Sequence, residues 1–170
     1  NIAAVLPNNV DTVTALAAHN DFLIIFCSRN IIIYSGANDP LGEFQLNDVI
    51  AGVGCVARDT VQNTGNDLIF LSDTGVRSLG RLLQEKSLPM RDLTKNVRDD
   101  VLETMKVEIG IVGTYNKVRS VYSEANAFYL LSLPTSQIIY CLDMRQPLED
   151  GSSRVTTWST KTTAFLRTRT

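Results

Sequence analysis

Apolar residues along this chain are grouped into short runs rather than spread at helical spacing. One pattern occurs three times: an apolar run, a polar turn that begins with serine, and a second apolar run. Pairs of short runs joined by turn residues predict β-hairpins. The predicted hairpins pair residues 22–28 with 31–34, residues 67–72 with 76–79, and residues 127–132 with 138–142.

The spacing of the three hairpins indicates an interrupted repeat. Ser28, Ser72 and Ser132, which begin the turns, are 44 and 60 residues apart. The first spacing lies in the range of about 40 to 50 residues that is typical of a four-stranded propeller blade. The second spacing is longer, so an insertion is expected between the second and third hairpins.

A helix accounts for the insertion. Asp92 is a predicted N-cap, and apolar residues follow it at every fourth position, namely Leu93, Val97, Val101 and Met105. A capping residue followed by this spacing predicts an amphipathic helix. We place it at about residues 91–106.

Further strands flank the hairpins. A strand is predicted before each hairpin, at residues 13–18, 55–61 and 118–123, and a fourth strand after two of them, at residues 43–46 and 155–159. Loops rich in Gly, Pro, Asn and Asp precede these last two segments. Four strands in each unit is the number found in a propeller blade.

The central runs are apolar throughout rather than alternating, which predicts that both faces of each strand are covered. The sequence therefore predicts a mainly β fold of β-propeller-like blades, each with four antiparallel strands, and one inserted helix. The blades span about residues 12–50, 53–110 and 115–162. A β-sandwich of the same strands is the alternative. Because a closed ring needs about four to eight blades, we expect the chain to be a segment of a longer polypeptide.

Composition limits the function. Sixteen Lys and Arg residues against 18 Asp and Glu residues exclude a basic protein that coats nucleic acid through bulk charge. No apolar run approaches the ~20 residues of a membrane span, and no secretory signal is evident, so we expect a soluble chain without a membrane span. Three widely spaced cysteines and one histidine predict buried free thiols and no zinc site.

No catalytic constellation is evident in the sequence. The sequence contains no convincing nucleophile with a base, no catalytic pair of carboxylates and no complete phosphate-binding glycine motif. Gly52 and Gly54 would need a third glycine where Ala57 stands, so they are interpreted as turn residues. We therefore predict that the chain is not an enzyme and has no catalytic, cofactor-binding or metal-binding residue.

Two charged groups are candidate contact sites. On the predicted helix these are Lys95, Arg98, Asp99, Asp100 and Glu103, which we predict to form local ion pairs and subunit contacts. Towards the end of the sequence they are Arg154, Lys161, Arg167 and Arg169, with Trp158 and Phe165 among them. Basic residues interleaved with aromatic residues predict a contact with DNA or with a neighbouring subunit; a solvated strand face is the alternative.

One long stretch, about residues 20–105, resembles a known family. The resemblance lies in the strands and turns at residues 21–26, 28–36, 54–57, 67–72 and 75–79, in Phe44, and in the helix start at residues 92–94; residues 119–131 match more loosely. In these segments the chain resembles the tail nozzle and tail hub proteins of short-tailed bacteriophages. These are also called tail tubular protein B or packaged-DNA stabilisation proteins, and they are several times longer than this chain.

The resemblance implies a structural virion protein. It implies a homo-hexameric tube that contacts the phage portal, the adaptor and other tail proteins, and that retains and later conducts the genome. Double-stranded DNA would pass through without sequence-specific binding, and the protein would assemble in the host cytoplasm into the phage tail. Two alternatives remain open: a non-viral β-propeller module that binds a protein or a glycan, and a fragment of a propeller hydrolase.

Overall fold

The computed structural model describes residues 11–36, 44–84, 92–109 and 117–159. These residues form three antiparallel sheets and two α-helices, so the prediction of a mainly β fold is confirmed. In each sheet, strands that are consecutive in the chain are neighbours in space. Each sheet is therefore a simple meander, as expected from hairpins joined in series.

Sheet A contains β1 (Val13–His19), β2 (Phe22–Cys27), β3 (Asn30–Ser35) and β4 (Gln45–Ala51). Sheet B contains β5 (Gln62–Asn63), β6 (Leu68–Ser72) and β7 (Gly75–Ser78). Sheet C contains β8 (Arg119–Ser123), β9 (Phe128–Leu133), β10 (Ile138–Asp143) and β11 (Arg154–Ser159). The helices are α1 (Leu79–Gln84) and α2 (Arg98–Ile109), with short 3-10 turns at Arg58–Thr60 and Lys95–Val97.

Sheet B lies between the other two sheets. Successive side chains of a strand point to opposite faces, and on β6 both sets are buried. Phe70 packs against Phe26 of sheet A, with ring centroids 4.8 Å apart. On the opposite face, Ile69 packs in a cluster with Tyr129 of sheet C and with residues of α2. The uniformly apolar run of β6 is thus explained by two apolar neighbours.

The sheets converge at their first strands. The turn at Arg58–Thr60 contacts both β1 and β8, and β5 contacts β8. The last strands, β4 and β11, make their extensive contacts within the described residues only to strands of their own sheets. Three sheets, of which the middle one packs against both others, differ from the two-sheet sandwich considered as the alternative. Within the described ranges the three sheets do not close into a ring or barrel.

The middle unit differs from its prediction. A first strand over residues 55–61 is wrong, because the chain turns there: Thr60 donates through its Oγ1 to the carbonyl oxygen of Ala57 over 2.6 Å and forms the 3-10 turn. The two-residue strand β5 takes its place. Sheet B has three described strands rather than four, and β7 runs directly into α1, a helix that the sequence pattern did not reveal.

The inserted helix is present but begins later than predicted. A 3-10 turn precedes α2, which starts at Arg98 and ends at Ile109. Asp92 is not its N-cap; the carboxylate is fully buried and accepts a 2.7 Å hydrogen bond from Nε of Arg98. The predicted apolar face is confirmed, since Leu93, Val101 and Met105 are buried in the core between sheets B and C.

Candidate functional site

The candidate contact residues on α2 form an exposed acidic surface. Asp99, Asp100 and Glu103 are exposed in the first two turns of the helix. No ion pair joins any of these three carboxylates to another described residue. We call Asp99, Asp100 and Glu103 the acidic surface of α2. Its negative charge is available to a partner.

The two basic residues near this surface pair elsewhere, so the predicted local ion pairs are not observed. Lys95 Nζ lies 3.5 Å from Oδ2 of Asp150, in the loop between β10 and β11. Arg98 pairs with the buried Asp92, whose Oδ1 also accepts a 3.3 Å hydrogen bond from Thr94. Both pairs hold the helix in place. They also remove positive charge that would otherwise compensate the acidic surface.

The position of α2 is fixed from its other face. Thr104 donates to the carbonyl oxygen of Asp100 over 2.7 Å, and its Oγ1 lies 2.9 Å from the hydroxyl of Tyr140 on β10. Near the end of the helix, Glu108 accepts a 2.8 Å hydrogen bond from the backbone N–H of Ser136 in the turn between β9 and β10. With Val101 and Met105 in the core, these contacts direct the acidic surface outward.

Sheet C is joined to the chain before β5 through the carbonyl oxygen of Thr60. This atom accepts hydrogen bonds from the hydroxyls of Tyr129, at 2.8 Å, and Ser120, at 3.0 Å. Burial raises the pKa of Tyr129 well above its usual range, so the hydroxyl remains a donor. Nearby, Arg119 pairs with the carboxylate of Asp59. This network at the common edge of the sheets was not predicted from the sequence.

Arg154 is exposed on β11, while Lys161, Arg167 and Arg169 lie outside the described residues. The Arg154 side chain lines two shallow grooves. One, of about 350 Å³, is bounded by Asp143, Arg145 and Gln146. The other, of about 560 Å³, is bounded by residues of the β10–β11 loop and by the start of the helical segment, namely Asn96, Pro147, Leu148, Glu149 and Asp150. Both grooves are lined by carboxylate and guanidinium groups, with Arg154 common to the two.

In the first groove, Arg145 and Asp143 form an ion pair with each other. Nε of Arg145 donates to Oδ1 of Asp143 over 2.9 Å, and its guanidinium lies 5.2 Å from the ring centroid of Phe128. Hydrogen bonds from the side chain and the backbone N–H of Arg145 lower the pKa of Asp143 to about 2. The carboxylate is therefore ionised at neutral pH and is not a candidate general acid.

Three cysteines and one histidine are the remaining candidate reactive side chains of the described chain. Burial raises the pKa of the Cys55 thiol to about 11, and Cys27 and Cys141 are also buried and free, as predicted. His19 has its Nε2 atom 3.2 Å from the side-chain amide of the neighbouring Asn20. Among the described residues, no group of three His, Cys, Asp or Glu side chains could hold a metal ion. Nor is any helix there long and apolar enough to cross a membrane.

No model of a known protein family matches the chain, and no curated protein gives a significant match. The described residues form stacked sheets, an acidic surface on α2 and two grooves lined by charged and polar side chains.

Proposed function

We propose that this chain is a structural component of the tail nozzle or tail hub of a short-tailed bacteriophage. Its three sheets would be blades of a propeller-like domain around the channel that retains the packaged genome and conducts it during ejection. The protein would act as a homo-hexamer in contact with the portal, the adaptor and other tail proteins. The acidic surface of α2 would lie at a contact between subunits.

The observation that carries this proposal is the position of β6. Its side chains are buried on both faces, against sheet A through Phe70 and against sheet C through Ile69. In addition, the turn before β5 contacts the first strands of both outer sheets, β1 and β8. Sheets packed face to face around a common inner edge are the arrangement from which propellers are built. Further sheets from the same polypeptide or from other subunits would complete the ring.

The inner strands also fit a channel through which DNA slides. The exposed side chains of β1 and β8 include Leu16, Val121 and Arg119, and the charge of Arg119 is matched by Asp59. A wall with few free cations releases few counterions from DNA and binds it weakly. The strand and turn pattern that resembles the tail nozzle proteins supports the same assignment.

Electron microscopy of the purified protein tests the proposal. We expect closed six-fold rings with a central channel wide enough for a DNA duplex, and a mass that is a multiple of six subunits by light scattering. Double-stranded DNA should not be retained in a mobility-shift assay at physiological salt. A stable monomer at all concentrations, or tight binding to one DNA sequence, would contradict the proposal.

One observation favours a second candidate, a non-viral β-propeller module that binds a protein or a glycan. The two grooves that meet at Arg154 combine carboxylates, guanidinium groups and the Gln146 amide, which are groups that hydrogen-bond to sugars. A glycan array separates the two candidates. Binding that is lost in Arg154→Ala and kept in Lys106→Gln, an exposed change on α2, would favour the second candidate.

A further inference from the structure

The edge strands of the three sheets differ in how far they are protected from pairing with another chain. Native proteins protect an edge strand with bulges, with short length or by covering it. The pairing of β1 with β2 is irregular between Val13 and Ala15, and that of β4 with β3 is irregular at Ile33 and Tyr34. In sheet B, β5 has two residues, and β7 has four residues and continues into α1.

The edge strand β8 is covered. It lies against β5 and against the turn at Arg58–Thr60. The carbonyl oxygen of Ser120 on this strand accepts a 3.1 Å hydrogen bond from the side-chain amide of Gln62. The edge of β8 is therefore occupied by other parts of the same chain.

Among the described residues, the edge strand β11 has none of these protections. It has six residues, pairs with β10 without a bulge, and contains no proline and no acidic residue. Its residues from Thr156 to Ser159 are exposed on both faces of the sheet. Within the described part of the chain, the only backbone hydrogen bonds of β11 are those to β10. A regular edge of this kind is a template for another strand.

We propose that β11 pairs with β11 of a second copy of this chain, antiparallel and around a two-fold axis at Thr156. The two copies of sheet C would then form one continuous eight-stranded sheet. This inference does not depend on the proposed function, because α2 and the inner strands take no part in it. A two-fold contact of this type is isologous: the same strand is used on both sides.

The side chains of β11 favour the register centred on Thr156. Val155 packs towards the core between sheets B and C, so Arg154, Thr156 and Trp158 lie on the opposite face. A two-fold axis perpendicular to the sheet keeps each face on its own side. With Thr156 opposite its own copy, Arg154 is opposite Trp158 of the second copy, on the same face.

This register pairs complementary side chains. An arginine guanidinium over an indole ring gives a favourable cation–π contact, and the register forms it twice. Val155 lies opposite Thr157 of the second copy, a pair of β-branched residues that suits a strand. The two Arg154 side chains lie on opposite sides of the axis, so they do not repel each other directly.

Sedimentation equilibrium over a wide range of protein concentration tests the contact. We expect a reversible self-association that Thr156→Lys weakens at least about tenfold, because it places two like charges directly opposite each other. Val121→Lys, an exposed change on the same face of the covered edge strand β8, should leave the association unchanged. Trp158 is the only tryptophan and is 48% exposed, so its fluorescence emission should shift to shorter wavelength on association.

Cysteine cross-linking tests the register. Strand partners in an antiparallel pair have Cα atoms about 4.5 to 5.5 Å apart, within the range that a disulfide spans. Cys141 is the neighbour of Thr156 on β10, so the variants carry Cys141→Ala. Thr156→Cys should give a covalent dimer under mild oxidation, whereas Ser159→Cys, whose copies would be ~20 Å apart, should not.

Two results would overturn the inference. One is an association constant that Thr156→Lys leaves unchanged, or the absence of any association in the unmodified protein. The other is equal cross-linking of Thr156→Cys and Ser159→Cys. Circular dichroism of each variant confirms that the sheets are folded. If electron microscopy shows no six-fold rings although Thr156→Cys forms the covalent dimer, the proposed function alone is contradicted.

Discussion

The hydroxyl of Tyr129, on β9, donates a 2.8 Å hydrogen bond to the carbonyl oxygen of Thr60, 69 residues earlier in the chain. This bond joins sheet C to the turn from which β5 begins. Both groups are buried. Because the turn also contacts β1, the bond lies where the three sheets converge.

Removing this hydroxyl should destabilise the fold. Tyr129→Phe is expected to lower the free energy of unfolding by about 1 to 2 kcal/mol, since a buried acceptor loses one of its two donors. Urea denaturation measures the change. Tyr122→Phe, on the neighbouring strand β8 and half-buried, is the control and should have little effect. Equal losses in both variants would show that the Thr60 contact does not stabilise the junction.

The central strand of sheet B should be the part of the fold that is most sensitive to truncation. Ile69 is 1% exposed between sheets B and C, so Ile69→Ala is expected to cost about 2 to 5 kcal/mol by leaving a cavity. Leu16→Ala, on β1 at 64% exposure, should change stability by less than about 0.5 kcal/mol. The more severe Ile69→Asp buries an unpaired carboxylate and should prevent folding. Thermal denaturation at constant pH compares the three, and an unchanged midpoint for Ile69→Asp would refute the burial of this strand.

Gly54 is required by a close approach between two backbone segments. Cys55 donates to the carbonyl oxygen of Cys27 over 2.9 Å, and a Cβ atom on Gly54 would lie 2.2 Å from that oxygen. Gly54→Ala must therefore separate sheet A from the segment before sheet B, at a cost of about 3 kcal/mol or more. Gly52→Ala, where φ is +81° and no other atom is near, should cost only about 1 to 2 kcal/mol of backbone strain. Equal losses in urea denaturation would contradict this difference.

The Asp143 carboxylate should titrate far below an ordinary aspartate. Its hydrogen bonds from Arg145 lower its pKa to about 2. A group whose pKa is depressed on folding stabilises the fold above the unfolded pKa of about 3.9. That contribution is lost as the pH falls from about 4 towards 2. Carbon-detected NMR should give a midpoint near 2, and Arg145→Gln should raise it towards the ordinary value. A midpoint near 4 in the unmodified protein would show that the pair does not form in solution.

The acidic surface of α2 should be dispensable for folding but not for assembly. The double change Asp99→Asn and Asp100→Asn removes two exposed charges, and its cost to stability should not exceed about 1 kcal/mol, from the lost interaction with the helix N-terminus. If the surface contacts another subunit, sedimentation velocity should show a shift from the proposed hexamer to smaller species. Lys106→Gln, exposed on the same helix, is the control. An unchanged hexamer would exclude this surface from the interface.

The strands were predictable where local pattern decides the structure. The runs at residues 67–72 and 76–79 and the turn between them predict β6 and β7, because apolar side chains and turn residues act within a few positions. The segment at residues 55–61 was predicted as a strand from its apolar residues. It turns instead, since Thr60 donates to the carbonyl oxygen of Ala57 and its own carbonyl oxygen accepts a hydrogen bond from Tyr129 of sheet C.

The charge pairing of the candidate site could not be predicted either, because it also depends on contacts between residues distant in the sequence. Lys95 pairs with Asp150, a residue 55 positions away, in preference to the carboxylates on the helix that follows it. Arg98 turns to the buried Asp92, where desolvation makes an unpaired carboxylate costly. Helical spacing identified the exposed acidic residues correctly. The partners of the basic residues depended on which loops the fold brings near them.

The burial of β6 on both sides also determines how this chain denatures. A three-stranded sheet that is apolar on both faces is not stable by itself in water. Sheet B therefore unfolds when either neighbouring sheet unfolds. Heating or urea should therefore dismantle all three layers in a single cooperative step. Proteolytic removal of sheet A would expose the apolar face of sheet B that it covers, and the remaining fragment should aggregate.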